Sequence, residues 1–216
     1  MSLSVLVMAK APRPGRVKTR LEPLLGARGC AALQAALIGV VGRWAAAVAL
    51  DGAYLAYGPD GAGEEEVRGL VPDTVRLFRD GAGDLGDRLA FATARVLAER
   101  PGPLAVVGTD MSLLTRAHAE AAEEALRRAD VCFGPALDGG FWLVGLARPC
   151  SEVFALGDDW GGPRVLERSL ALAGRAGRTT ALLGTERDLD DEADARALLT
   201  HPGLPAEVAR ALQAVA

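Results

Sequence analysis

"LSVLVMAKAPRPGRVKTRL", residues 3–21, holds the change of character that decides the fold. Residues 3–9 are almost continuously apolar, as in a strand buried on both faces, and the chain then becomes basic. Lys10, Arg13, Arg16, Lys18 and Arg20 follow with no acid among them. Pro12 and Pro14 keep this run from becoming helix, and Gly15 lets the backbone turn close to a neighbour. In open α/β sheets ligands collect beyond the carboxyl ends of the strands, so a cationic loop in that place points to an anionic partner.

The rest of the chain supports such a sheet. Apolar β-rich runs recur at residues 53–58, 75–78 and 104–108, with helical patterns at 27–49, 64–70, 85–100 and 116–129. This alternation predicts a mostly parallel sheet covered by helices on both faces. The strand-like runs 131–137 and 141–147 are separated by only Asp138, Gly139 and Gly140, far too few residues for a parallel crossover, so the sheet is expected to be mixed. A helix at 163–173, a strand at 179–184 and helices at 191–199 and 205–215 complete one domain over 1–216.

Composition narrows the function. Half of the 216 residues are hydrophobic, enough for a real core, and the formal charge of −4 supplies no global positive field for nucleic acid or an anionic membrane. Residues 3–8 are too short for a signal-peptide core, and no later run reaches about 18 uninterrupted apolar residues. Cys30, Cys132 and Cys150 show no disulfide framework or metal spacing, which fits a reducing cytoplasm.

Four turns after strands carry chemistry. The opening loop suits phosphate, with Lys10, Lys18 and Arg20 as donors, but it is not a P-loop: "GRVKT" offers Lys18 and Thr19 without the preceding glycine of that motif. "GAGDLGDRL", residues 81–89, places Gly81, Gly83 and Gly86 in the spacing of a dinucleotide fingerprint. It does not follow the first strand, however, and no acid closes a following strand about 20 residues on. The same loop, with Asp84 and Arg88, remains a candidate nucleotide contact. Asp110, in "VVGTDMS", ends the fourth strand; a carboxylate beside phosphates calls for a divalent cation between them, Mg²⁺ or Mn²⁺. Helix capping is the other use for such an aspartate, but Ser112 and Thr115 stand nearer the helix start. "RDLDDEAD", residues 187–194, offers Asp188, Asp190, Asp191 and Asp194, some biasing charge toward a helix N-terminus and one able to complete a metal site.

"LDGGFW", residues 137–142, fits either a tight hairpin or a sugar and acceptor contact, in which Asp138 accepts hydrogen bonds or a proton and Gly139 and Gly140 admit close approach. Trp160 and Trp142 fit either ligand stacking or core. His118 and His201 read as surface residues without a catalytic partner.

Taken in order, "KAPRPGRVKTRL", "GDLGDRL", "GTDMSLL", "GPALDGGFWLVGL" and "DLDDEAD" resemble a family in the GT-A, or nucleotide-diphospho-sugar transferase, superfamily. Its members are labelled radical-SAM/selenodomain-associated transferases, or arsenosugar-type glycosyltransferases. The resemblance implies a Rossmann-like three-layer α/β/α sandwich that binds a nucleotide or nucleotide-sugar with Mg²⁺ or Mn²⁺. By similarity to guanylyltransferases, Asp110 and Asp190 would hold the metal, with Lys18 and Arg20 on the phosphates. Met111 and Ser112 stand where Cys-Pro is usual, and Asp191-Glu192 where Thr-Pro is usual. Glycosyl transfer to a small acceptor, with Asp138 as base or sugar ligand, is the first expectation. Nucleotidyl transfer and a non-catalytic nucleotide sensor are the alternatives. The base, the acceptor and the oligomeric state are not encoded in any motif.

Overall fold

The computed structural model describes residues 2–58 and 63–213. Its strands are β1 (Ser4–Lys10), β2 (Ala53–Gly58), β3 (Arg76–Arg79), β4 (Leu104–Val107), β5 (Val131–Pro135), β6 (Phe141–Leu146) and β7 (Thr180–Leu182). They form one sheet in the order β3-β2-β1-β4-β6-β5-β7. β1 lies parallel to both β2 and β4, with Val7 opposite Leu55 and Val107. β6 runs antiparallel to both its neighbours; against β5 this follows from a connection of residues 136–140, too short for a parallel crossover. The expected mixed, Rossmann-like α/β sandwich is therefore present, and the carboxyl ends of β1 and β4 lie side by side.

Helices α1 (Glu22–Val48), α2 (Glu65–Arg68), α3 (Leu85–Glu99), α4 (Arg116–Leu126), α5 (Val165–Arg175), α6 (Glu192–Leu199) and α7 (Ala206–Gln213) surround the sheet. Alternate residues of β1 feed the two faces: Val5 and Val7 join Ile38, Val41 and Trp44 of α1, while Leu6 joins Leu89, Ala92 and Val96 of α3. Each fully buried aliphatic side chain of this kind contributes about 1.5–3 kcal/mol. The opposite side of α1, through Cys30, Leu33 and Leu37, meets Leu198, Val208 and Leu212 of α6 and α7. Two-sided packing explains why α1 is apolar nearly all round. An 18-residue window within Thr19–Val48 has a mean hydropathy of 1.7, long and apolar enough by composition to cross a membrane, yet half of it is buried in the protein.

Several boundaries depart from the sequence pattern for visible reasons. Gly26, at φ +63° and ψ 164°, interrupts α1, so the regular helix begins after it, where the apolar period starts. β7 pairs regularly for only three residues, with Val131, Cys132 and Phe133; the Gly184 carbonyl then accepts from Trp142 Nε1 at 3.0 Å, and Glu186 rejoins the edge beside Ala136. α7 follows the expected 205–215 helix, of which Ala214 and Val215 lie outside the described residues.

Candidate functional site

A cleft of ≈ 690 Å³ opens at the carboxyl edge of β1 and β4. Among the residues singled out from the sequence, Lys10, Lys18, Arg20, Arg88, Asp110, Asp138 and Asp190 line it. The Lys18 ammonium sits in its wall, between two of these carboxylates. Lys18 Nζ lies 2.7 Å from Asp110 Oδ1 and 3.3 Å from Asp190 Oδ1, and also donates to the Leu189 carbonyl. The lysine side chain is only 6% exposed, whereas the two carboxylates are 42% and 35% exposed and face the cleft. Burial works against the ammonium's charge, but Asp110 and then Asp190 outweigh it and hold its pKa above the ordinary lysine value.

The backbone is shaped to this arrangement. Lys18 adopts φ +50°, a left-handed conformation that costs a non-glycine residue about 1–2 kcal/mol. Its carbonyl accepts from Leu21 N at 2.8 Å and from the Cys30 thiol at 3.2 Å, which fixes the turn. Leu189 N donates to the Asp110 carbonyl at 3.0 Å, so the loop before α6 is tied to the end of β4. Gln34, which no motif marks, is 3% exposed inside the apolar surface of α1. Its Nε2 donates to the Lys10 carbonyl and to Thr109 Oγ1, both at 3.1 Å, joining the ends of β1 and β4. A lone amide within an apolar helical stripe is the signal that would have found it.

The acidic run divides by direction. Asp191 and Asp194 form a reciprocal capping box at the start of α6, and Asp194 also pairs with Arg187 at 2.8 Å. Asp188 keeps a buried Oδ1 with no hydrogen-bond partner; burial first, then Asp110, Asp138 and Asp190, push its carboxyl up to about 7. Thr115 is the N-cap of α4, leaving Asp110 out of that role.

Other expected contacts sit elsewhere. Asp84 caps α3 through Asp87 N at 2.9 Å, and Gly83 takes φ +99° in the turn before it. Gly86 packs where a Cβ would stand 2.2 Å from the Phe154 carbonyl. None of these three lines the cleft; they hold α3 in place. Arg88 meets Asp80 at 3.1 Å, a pair with side chains only 12% and 6% exposed, and both residues line the cleft. Burial outweighs Arg88 and holds the Asp80 carboxyl above its ordinary value. Asp138 Oδ1 accepts from Gly140 N at 2.8 Å, forming the hairpin turn while still reaching the cleft rim. The Gly139 carbonyl accepts from Leu166 N at 3.0 Å. Trp160 packs edge-on to Phe141 at 6.1 Å, away from the cleft lining. His118, expected at the surface without a catalytic partner, is held in the α4 cap: its Nδ1 accepts from Thr115 N at 2.9 Å and its Nε2 lies 3.3 Å from Glu186.

A smaller cavity of ≈ 330 Å³ adjoins the cleft and shares Lys10 with it; Gly15, Arg13 and Arg16 line it. Arg13 Nε and Nη2 grip the Glu66 carboxylate at 2.7 and 2.5 Å, and these bonds bring Glu66 down to about 2. The loop's positive charge is thus partly satisfied internally, and the outward Arg16 and the 71% exposed Arg20 side chain present the rest.

Among the described residues no group of three or more His, Cys, Asp or Glu is arranged to hold a metal. The fit is to a two-carboxylate site: Asp110 and Asp190 are oxygen donors converging on one point at the cleft, and Mg²⁺ commonly takes one or two protein carboxylates with water and phosphate oxygens in its other positions.

A β3-β2-β1-β4-β6-β5-β7 sheet with a cleft at its carboxyl edge defines a Rossmann-like α/β protein of the nucleotide-sugar transferase type in fold. The chain belongs to the family described as uncharacterized protein conserved in bacteria (DUF2064), whose model matches residues 44–161. No curated protein matches the chain. Its fold is similar to that of a candidate nucleotide-diphospho-sugar transferase from Desulfovibrio desulfuricans G20, with TM-score 0.86 and 24% identity over 99% of this chain and 95% of that one. A cytidylyltransferase from Leptospira borgpetersenii is similar at TM-score 0.57 and 11% identity, over 100% and 94% of the two chains. Rv0371c from Mycobacterium tuberculosis H37Rv, in a complex with manganese, is similar at TM-score 0.51 and 21% identity, over 91% and 97%.

Proposed function

We propose that this chain is a nucleotide-dependent transferase that moves a glycosyl group from a nucleoside-diphosphate sugar to a small acceptor, using Mg²⁺ or Mn²⁺ held by Asp110 and Asp190. The observation that carries this reading is the convergence of those two carboxylates and Lys18 in the wall of the cleft. The fold shared with the candidate transferase from D. desulfuricans supports it. When bound, the cation supplies Lewis-acid neutralisation of the diphosphate. Lys18 and Arg20 bind the phosphate oxygens and stabilise the charge that develops as the sugar–oxygen bond breaks and the diphosphate leaves with the electron pair. The acceptor hydroxyl forms the new bond to the sugar carbon, and Asp138 at the rim takes its proton or orders the sugar hydroxyls. Nucleic acid and membrane have no part in this reading, and a reducing cytoplasm suits the three free, buried cysteines.

Nucleotidyl transfer from a triphosphate is the second reading. The adjoining cavity with Lys10 and Arg16 favours it, because it offers room and charge for a further phosphate. The sequence at Asp110, Gly-Thr-Asp, also lacks the Asp-x-Asp form.

A thermal-shift panel of nucleoside triphosphates, nucleoside-diphosphate sugars and NAD, each with and without Mg²⁺ or Mn²⁺, separates the readings. A ligand at 100 times its Kd stabilises the native state by about 2.7 kcal/mol. We expect a metal-dependent shift with one nucleoside-diphosphate sugar, lost in a folded Asp110→Ala variant. A shift with triphosphates alone selects nucleotidyl transfer, and binding without turnover selects the sensor. Unchanged metal-dependent binding in Asp110→Ala refutes the site.

A further inference from the structure

We infer that Lys18 is the resident counter-cation of the proposed metal carboxylates, so that the protein admits a divalent cation only together with a phosphate ligand that draws the lysine away. The inference rests on the metal reading above and specifies the order in which that site fills. Its basis is geometric. One ammonium touches both Asp110 Oδ1 and Asp190 Oδ1, at 2.7 and 3.3 Å, and is nearly sealed from solvent while the carboxylates are open to the cleft. A third acceptor, the Leu189 carbonyl, completes its hydrogen bonding, so all three ammonium protons have partners inside the protein.

Charge makes the exchange conditional. With Lys18 in place the two aspartates are already half neutralised, and an incoming dication meets a positive charge at contact range. Repulsion of this kind costs a divalent ion at least about tenfold in affinity even at a water-like dielectric. A nucleotide changes the balance, since its phosphates offer the ammonium a new set of anionic oxygens and leave Asp110 and Asp190 to the metal. Metal and nucleotide then strengthen each other's binding by the same factor, as linkage requires.

The loop is built to hold Lys18 in the first position. The left-handed backbone at φ +50° is fixed by Leu21 N and the Cys30 thiol, and the proposed exchange changes the side-chain rotamer with that turn left in place. Lys18 therefore acts twice, as a stand-in for the metal before ligand arrives and as a phosphate donor afterwards.

Mn²⁺ binding, read by electron paramagnetic resonance of the free ion and requiring no turnover, tests this. Wild type is expected to bind Mn²⁺ weakly alone and at least about tenfold more tightly with the nucleotide that shifts its melting temperature. Lys18→Met, similar in length and uncharged, is expected to bind Mn²⁺ alone at least about tenfold more tightly than wild type and to lose most of the nucleotide dependence. Should Lys18→Met fail to fold, Lys18→Gln, also uncharged, is expected to show the same gain in Mn²⁺ affinity over wild type, and equal affinity there overturns the inference as well. Equal Mn²⁺ affinity with and without nucleotide in wild type, or equal affinity in wild type and Lys18→Met, overturns the inference and leaves the metal reading standing. No Mn²⁺ binding by either protein, even with nucleotide, overturns the metal reading itself and the inference with it.

Discussion

Replacing Arg88 with Met removes the partner of a carboxylate that has almost no access to water. Asp80 is 6% exposed and Arg88 12%, and they meet at 3.1 Å where β3 hands over to α3. Breaking such a pair by removing one member costs about 3–5 kcal/mol, because the remaining charge is buried uncompensated. In a protein of this size each kcal/mol lowers Tm by about 2–4 °C, so Arg88→Met is expected to melt roughly 6–20 °C below wild type at pH 7. The pH dependence supplies the sharper test. Burial already holds Asp80 above its ordinary value in the folded protein, and loss of Arg88 raises it further. A carboxyl raised on folding binds more protons in the native state, so its destabilising effect grows as pH rises from the unfolded value of about 3.9 through the folded one. The Tm deficit of Arg88→Met should therefore shrink as pH falls toward 4, and Asp80→Asn/Arg88→Met should recover much of the loss at pH 7. Differential scanning calorimetry between pH 4 and pH 7 measures this. A deficit below about 1 kcal/mol, the range of exposed pairs, or one that widens on acidification, would refute the buried-pair reasoning.

Gly139→Ala is expected to cost more than about 1–2 kcal/mol, because residue 139 sits at φ +90° and a Cβ there would stand 2.0 Å from the Pro163 carbonyl; denaturant unfolding at wild-type-like stability would remove the need for glycine at this turn. The native protein should resist thiol labelling at pH 8. All three cysteines are buried, burial pushes Cys132 up to about 12 and raises Cys30 and Cys150, and three equivalents of label should react only on unfolding.

What the sequence revealed, and what it hid, follows from the range over which each feature is encoded. β1 and its loop were legible because apolar continuity and the abrupt basic run are local signals, and the reversal of β6 against β5 followed from how few residues separate the two strand-like runs. The strand order was not, because it is set by which faces of α1, α3 and α4 find cover. Asp190 could be separated from its acidic neighbours only by resemblance; the structure shows why it differs, since Asp191 and Asp194 are occupied with each other at the α6 cap. The glycines at 83 and 86 mimic a dinucleotide fingerprint because a helix start that packs closely needs the same backbone freedom, whatever it binds. Gln34, Asp80 and the Glu186 partner of His118 escaped notice since each acquires meaning only from a residue distant in sequence or across a turn.

The contact between Lys18 and Asp190 spans 172 residues of chain. During synthesis at about 5–20 residues per second, the lysine loop leaves the ribosome roughly 10–30 s before its second aspartate exists. Through that interval the strands of the N-terminal half can pair, but the ammonium has only Asp110 to hold it, and only after β4 has emerged. Completion of this cleft is thus among the last steps open to the growing chain, and an N-terminal fragment ending before residue 190 carries the basic loop with only one of the two carboxylates that hold Lys18.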